Sequence, residues 1–123
     1  MLSRGIKYNW VMTSPDWEAS FLSEIQQAQA ARQRGNEGMA RVCARRAAGI
    51  AVFAYFNRKG VDSRSPSAVE RLKLLIALPD TPETVRETAR YFLIHVTPEY
   101  ALPIDVDLLE EAQKLRLSLA ALP

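Results

Sequence analysis

The side chains best suited to proton transfer and phosphate chemistry are Arg90 and His95, which bound the segment Arg90-Tyr-Phe-Leu-Ile-His95. His95 is the single histidine of the chain, and an imidazole can exchange a proton near pH 7. A guanidinium can donate two hydrogen bonds to one phosphate. Metal-free cleavage of RNA needs such a pair, because a base must activate the ribose 2′-hydroxyl while a cation stabilises the phosphate. Arg90 and His95 are therefore the candidate residues for proton transfer and anion binding.

The spacing of this pair leaves two interpretations open. On a regular helix, side chains five residues apart point about 140° away from each other. Arg90 and His95 converge only if the helix distorts near Pro98 or if a partner subunit completes the site. In the structural alternative, His95 simply ends a helix and Arg90 pairs with Glu83 or Glu87 at helical spacing.

A second group of candidate site residues lies in a predicted long helix between Gly35 and Gly60. Arg41 and Arg45 are one turn apart in this segment, and Arg46 follows directly. We predict that these three arginines contact the phosphates of a nucleic acid, because a basic stripe binds the backbone without reading bases. A separate stripe of small residues would let another helix approach closely. Its members are Ala40, Ala44, Ala47, Ala48 and Ala51.

The charges are divided unevenly along the chain, although the net charge is only +2. Residues 32–73 contain ten Lys or Arg against three acidic residues, a net charge of +7. Residues 79–111 contain eight acidic residues against two arginines, a net charge of −6. This division can steer a polyanion to one surface, or it can let the two halves attract each other within the fold or across a dimer. Of these two consequences, attraction between the two halves is the one we expect.

Start and stop signals divide the chain into five predicted helices and no strand. A chain of 123 residues, 48% of them hydrophobic, has the size of one domain with one core. We expect an N-terminal arm at residues 1–13, with Trp10 and Met12 able to pack back on the domain. Residues 14–123 are predicted to form an all-α, up-and-down bundle of about five helices. The helix starts are predicted at Ser14-Pro15, Asn36, Thr81-Pro82 and Asp107, and at Ser65-Pro66, where Ser67 and Glu70 can form a capping box.

Proline is also expected to end the fourth helix. Val85, Ala89, Phe92 and Leu93 have the spacing of an inward face, which predicts that this helix continues until Pro98.

Several kinds of chemistry have no signature in the sequence. There is no glycine-rich phosphate loop and no pair of cysteines or histidines at metal-ligand spacing, so we predict neither a metal nor a cofactor. The one cysteine, Cys43, is expected to be a small buried hydrophobe. Residues 47–56, the longest uncharged apolar stretch, are too few to span a bilayer. Without a signal peptide, the expected location is cytoplasmic.

The order of these features resembles the HEPN family over nearly the whole chain. A tryptophan-led first helix and Gly35 precede an alanine-rich, basic second helix that ends at Lys59-Gly60. A capped linker helix, Arg90-x-x-x-x-His95 and a turn containing proline and tyrosine follow. Members of this family are small helical bundles that usually form homodimers. Many are toxins of toxin–antitoxin pairs that cut RNA without a metal through an Arg-x(4–6)-His motif.

The resemblance implies that Arg90 and His95 are the catalytic pair, that the protein is a homodimer and that RNA is a partner. It also implies a nucleotidyltransferase-type antitoxin as a partner. Relatives with such an antitoxin often have His-x-Tyr, whereas this chain has Thr97 in place of the tyrosine, so we expect no nucleotide transfer onto that position. The alternative from another class is a noncatalytic HEPN-like module that uses the alanine stripe and the basic face of the second helix to bind a nucleotide or a protein.

Overall fold

Five helices make up the part of the chain that the structure describes. The computed structural model describes residues 16–62, 65–94 and 105–123. The helices are α1 (Asp16–Gln33), α2 (Glu37–Lys59), α3 (Ala68–Ala77), α4 (Glu83–Tyr91) and α5 (Leu108–Ala120). No strand occurs within these ranges, so the predicted all-α helical bundle is confirmed. The predicted N-terminal arm, with Trp10 and Met12, lies outside the described residues.

Local capping groups start three of the helices where the sequence predicts. The side chain of Asn36 accepts a hydrogen bond from the Met39 N–H at 3.0 Å, at the start of α2. Ser67 caps α3 and Asp107 caps α5 in the same manner. Such side chains satisfy N–H groups that have no partner in the first turn of a helix. After α2, Gly60 has a φ of 74°, a left-handed conformation that suits glycine and ends the helix.

Helix α2 lies at the centre of the fold. It packs against α1, α3 and α5, while α4 packs against α3 and α5. All five alanines of the predicted stripe are at most 3% exposed, which confirms that another helix approaches this face closely. On α5, the buried residues are Leu108, Leu109, Ala112, Leu115 and Leu119. Because the stripe is covered within one chain, it cannot also serve as a binding face for a partner.

Helices α2 and α3 approach each other closely at Gly49 of α2, next to Ala68 at the start of α3. A Cβ atom added to Gly49 would lie 2.6 Å from the Ala68 Cβ and 2.9 Å from its Cα. Both distances are too short for carbon atoms in contact. Glycine is therefore required at this position by the neighbouring backbone and not by its own φ angle.

Helix α4 ends earlier than predicted. It stops at Tyr91 instead of continuing to Pro98, and the N–H groups of Phe92 and Leu93 bond to carbonyls three residues back. Arg45 donates its Nε–H to the Phe92 carbonyl at 2.8 Å, so a side chain from α2 satisfies a carbonyl at this helix end. The 140° separation expected for a continuous helix therefore does not apply. Val96 and Pro98 lie outside the described residues.

We expect Gly49→Ala to destabilise the fold. Forcing α2 and α3 apart should cost about 1–3 kcal/mol, which outweighs the roughly 1 kcal/mol that alanine gains over glycine in a helix. The matched control is Gly38→Ala in the same helix, where the added Cβ would meet only the Asn36 Oδ1 at 3.8 Å. Urea unfolding should show a lower midpoint for Gly49→Ala and an unchanged or higher one for Gly38→Ala. Equal stability of Gly49→Ala and wild type would contradict the close approach.

Candidate functional site

Arg90 lies in the last turn of α4 and forms an ion pair with Glu83. Its Nη1 is 2.9 Å from Glu83 Oε2, and its side chain is 50% exposed. The hydrogen bond from Arg90 holds the pKa of the Glu83 carboxyl below its usual value. Of the two structural partners considered from the sequence, Glu83 is the one that the structure provides.

The ion pair holds the Arg90 guanidinium over the preceding turns of α4. Glu83 lies two helical turns before Arg90, at the start of α4. His95 itself lies outside the described residues, so the distance between the two candidate catalytic side chains is not defined. An exposed ion pair is weak because water and salt screen both charges. A phosphate could therefore replace the Glu83 carboxylate.

Arg45 joins the basic side of α2 to the end of α4. Its hydrogen bond to the Phe92 carbonyl spans 47 positions of sequence. The side chain is partly buried, and this burial lowers the pKa of Arg45 because the charged form loses water. Within the described residues, no carboxylate pairs with it. Arg45 was predicted as a phosphate contact, but nothing in the sequence pattern indicated that it would meet α4.

The three arginines predicted to bind phosphate do not form one stripe. Arg41 is partly buried one turn before Arg45, and its charge helps to lower the pKa of Glu37. Arg46 is exposed and points about 100° around the helix from Arg45. Arg45 is joined to the end of α4, and the predicted group divides into a partly buried pair and one solvent-facing side chain.

The oppositely charged halves of the chain meet within the fold. Arg32 contacts Glu37 at 2.7 Å and Asp107 at 3.0 Å, which joins the corner between α1 and α2 to the start of α5. These hydrogen bonds from Arg32 hold the pKa values of both carboxyl groups below their usual values. Lys59 and Asp80 form a second link at 2.8 Å. The charge division seen in the sequence thus produces internal attraction, one of the two alternatives it left open.

Other basic residues of the chain also bond to the fold itself. Arg58 donates to the carbonyls of Leu119 and Leu122 at the end of α5. Arg86 does the same for α3, through the carbonyls of Ile76 and Leu78. These bonds satisfy carbonyl groups that a helix end leaves without an intrahelical partner. Fewer cations than the sequence count suggests are thus available to an external anion.

Cys43 is buried as predicted. It is 1% exposed, and burial raises the pKa of its thiol, which opposes formation of a nucleophilic thiolate. It forms part of an open surface hollow of about 280 Å³ between α1 and α2. The hollow is lined by Gln27, Ala30, Arg34, Met39 and Cys43.

The described ranges contain neither a group of metal ligands nor a helix suited to crossing a membrane. No three His, Cys, Asp or Glu side chains there come close enough together to hold a metal ion. None of the five helices is both long and apolar enough to cross a membrane. Comparisons with protein families, curated proteins and solved structures found no match.

We expect Glu83→Gln to tighten the binding of a short single-stranded RNA at low salt, because it releases the Arg90 guanidinium from its carboxylate. The matched control is Glu87→Gln, which removes the same charge from the same helix but from a residue without an ion pair in the described part of the chain. Fluorescence anisotropy at low and high salt should show a larger gain for Glu83→Gln that shrinks as salt rises. Equal gains in the two variants would mean that the Arg90 pair is irrelevant to binding.

Proposed function

We propose that this protein is a HEPN-like domain that binds RNA and cleaves it without a metal ion, with Arg90 and His95 as the catalytic pair. The observation that carries this proposal is the 2.8 Å hydrogen bond from Arg45 to the Phe92 carbonyl. It joins an arginine of α2, predicted to bind phosphate, to the chain three residues before His95. The basic side of α2 thereby meets the end of α4, the helix that carries Arg90.

The proposed reaction assigns one step to each side chain. His95, in its neutral form, accepts the proton of the ribose 2′-hydroxyl, and the 2′-oxygen attacks the adjacent phosphorus. The bond from phosphorus to the 5′-oxygen breaks, and that oxygen takes up a proton as it leaves. Arg90 donates hydrogen bonds to the phosphate oxygens, on which negative charge grows. To do so, it must exchange Glu83 for the phosphate.

The proposed biological setting is a toxin–antitoxin pair. It follows from the resemblance to HEPN toxins, and a nucleotidyltransferase-type antitoxin is the proposed protein partner. Thr97, which lies outside the described residues, replaces the tyrosine that such antitoxins modify in relatives with His-x-Tyr. We therefore propose control by complex formation instead of nucleotide transfer at that position.

One observation favours the second candidate function, a noncatalytic interaction module. Arg90 is already neutralised by Glu83, as expected of a structural arginine. Such a module cannot bind its partner through the alanine stripe, as the sequence suggested, because the stripe lies in the core. A noncatalytic module would have to bind through the basic residues of α2 or through another exposed surface.

We expect RNA cleavage to continue in EDTA and to fall about a hundredfold or more in His95→Ala and Arg90→Ala, because each change removes a proton-transfer or charge-stabilising group. The measurement is cleavage of a labelled single-stranded RNA by purified protein. Growth on induced expression of wild type and His95→Ala gives the same comparison in cells, since loss of toxicity should accompany loss of cleavage.

The control for these variants is Arg34→Ala, which removes an exposed arginine from the turn after α1 and leaves the proposed site intact. Helix content by circular dichroism should be unchanged in all three proteins. Cleavage that persists in His95→Ala, or that requires added magnesium, would show that the assignment is wrong. An intact fold with no cleavage by wild type would favour the interaction module.

We also expect a homodimer in solution, with a mass near twice 13.8 kDa by light scattering after size exclusion at micromolar concentration. The alanine stripe is covered within the chain, so the dimer must use other surface. Exposed apolar side chains are available for this contact at Leu22, Met39 and Leu117. A monomer mass at this concentration would refute the expectation.

A further inference from the structure

Arg45 differs from the other arginines whose contacts are described. Arg32, Arg90 and Arg116 each form an ion pair with at least one carboxylate. Arg58 and Arg86 reach two or more backbone carbonyls each. Arg45 is partly buried and yet makes a single hydrogen bond, from Nε to the Phe92 carbonyl. Its positive charge therefore has no acidic partner in the described part of the chain.

The hydrogen bond at Nε also fixes the orientation of the guanidinium. A guanidinium is planar and carries five N–H donors in a fixed fork, so one bond at Nε sets the direction of the remaining donors. Nη1 and Nη2 of Arg45 make no hydrogen bond within the described residues. These two nitrogens are spaced so that each can donate a hydrogen bond to a different oxygen of one phosphate. Little side-chain entropy would be lost on binding, because the fold already holds the side chain in place.

Energetics favour an external anion at this position. A partly buried cation loses hydration, and the described residues supply no counter-charge to compensate Arg45 for that loss. The lowered pKa of Arg45 is consistent with this loss. A phosphate oxyanion would supply both the negative charge and the missing acceptors. By contrast, Arg46 is exposed and well solvated, so a phosphate near it gains less.

We infer that Arg45 is the principal phosphate-binding residue of the protein, with a single phosphate group seated on Nη1 and Nη2 beside the end of α4. This rests on the proposed function for the source of the ligand, a phosphate of an RNA chain. It deepens that function, since a flat basic stripe would share binding among Arg41, Arg45 and Arg46. The inferred site concentrates binding on one preoriented guanidinium.

The test measures binding on the His95→Ala protein, so that cleavage does not interfere. The probes are inorganic phosphate and a short single-stranded RNA. Calorimetry gives the affinity for each probe, and the amide signal of Phe92 in NMR spectra reports events at the end of α4. The variants, made in that background, are Arg45→Met, Arg45→Lys and the matched control Arg34→Met, which replaces an exposed arginine in the turn after α1.

Arg45→Met should weaken the binding of both probes about tenfold or more, as expected when a charge-assisted pair of hydrogen bonds is lost. Arg45→Lys keeps the charge but lacks the planar fork, so it should bind phosphate more weakly than the parent while retaining the fold. Phosphate should shift the Phe92 amide signal in the parent but not in Arg45→Met. Arg34→Met should match the parent with inorganic phosphate.

Several outcomes would overturn the inference. They are unchanged affinity in Arg45→Lys, an equal loss in Arg34→Met, or a phosphate response that never reaches Phe92. If Arg45→Met does not fold, Arg45→Lys alone decides. Binding of inorganic phosphate but not RNA would retain the anion site and reject RNA as its source. Absence of cleavage by wild type, with Arg45-dependent phosphate binding intact, would reject the proposed catalysis alone.

Discussion

The fold depends on how closely other helices can approach α2. Up to Ala51, its buried face is built mainly from alanines and Gly49, so neighbouring helices can lie against its backbone instead of against long side chains. At the crossing with Ala68, even one added carbon atom lacks room. Larger core side chains lie on the surrounding helices, among them Phe21, Leu72 and Leu115, and at the end of α2 itself, where Val52, Tyr55 and Phe56 are buried. Before Val52, the sequence of α2 thus specifies a short interhelical distance, whereas its last turns contribute bulk to the core.

This packing explains why much of the fold could be predicted. The starts of α2, α3 and α5 follow from capping side chains next to the helices they start, and the alanine stripe follows from helical periodicity. The end of α4 could not be predicted in the same way. It coincides with a hydrogen bond from Arg45, whose access to the Phe92 carbonyl depends on how α3 and α5 hold the end of α4 near α2. A capping residue next to a helix lets the sequence predict where that helix starts. A helix end that is capped by a side chain from a distant part of the chain can be predicted only from the tertiary structure.

The candidate site shows the same limit. Arg45, Arg46 and Arg90 could be identified from the sequence as cations suited to phosphate. The sequence does not show which groups of the fold each of them bonds to. Glu83 was one of two carboxylates at suitable spacing from Arg90, and only the structure distinguishes them. The difference between Arg45 and Arg46, which are adjacent in sequence, comes entirely from their directions around α2. A count of basic residues also overestimates the external field, because Arg58 and Arg86 bond to carbonyls at helix ends.

The position of α5 has a consequence for the order in which the molecule can assemble. Helices α1 and α2 are consecutive, so they can pair early through contacts between nearby parts of the chain. The side of α2 that later receives Leu115 and Leu119 stays open until α5 is made, at the opposite end of the sequence. A nascent chain that stops before Leu108 therefore exposes an apolar groove to water. Chaperones, or a second copy of α5 from a neighbouring chain, would find that groove only during synthesis, before the chain's own last helix closes it.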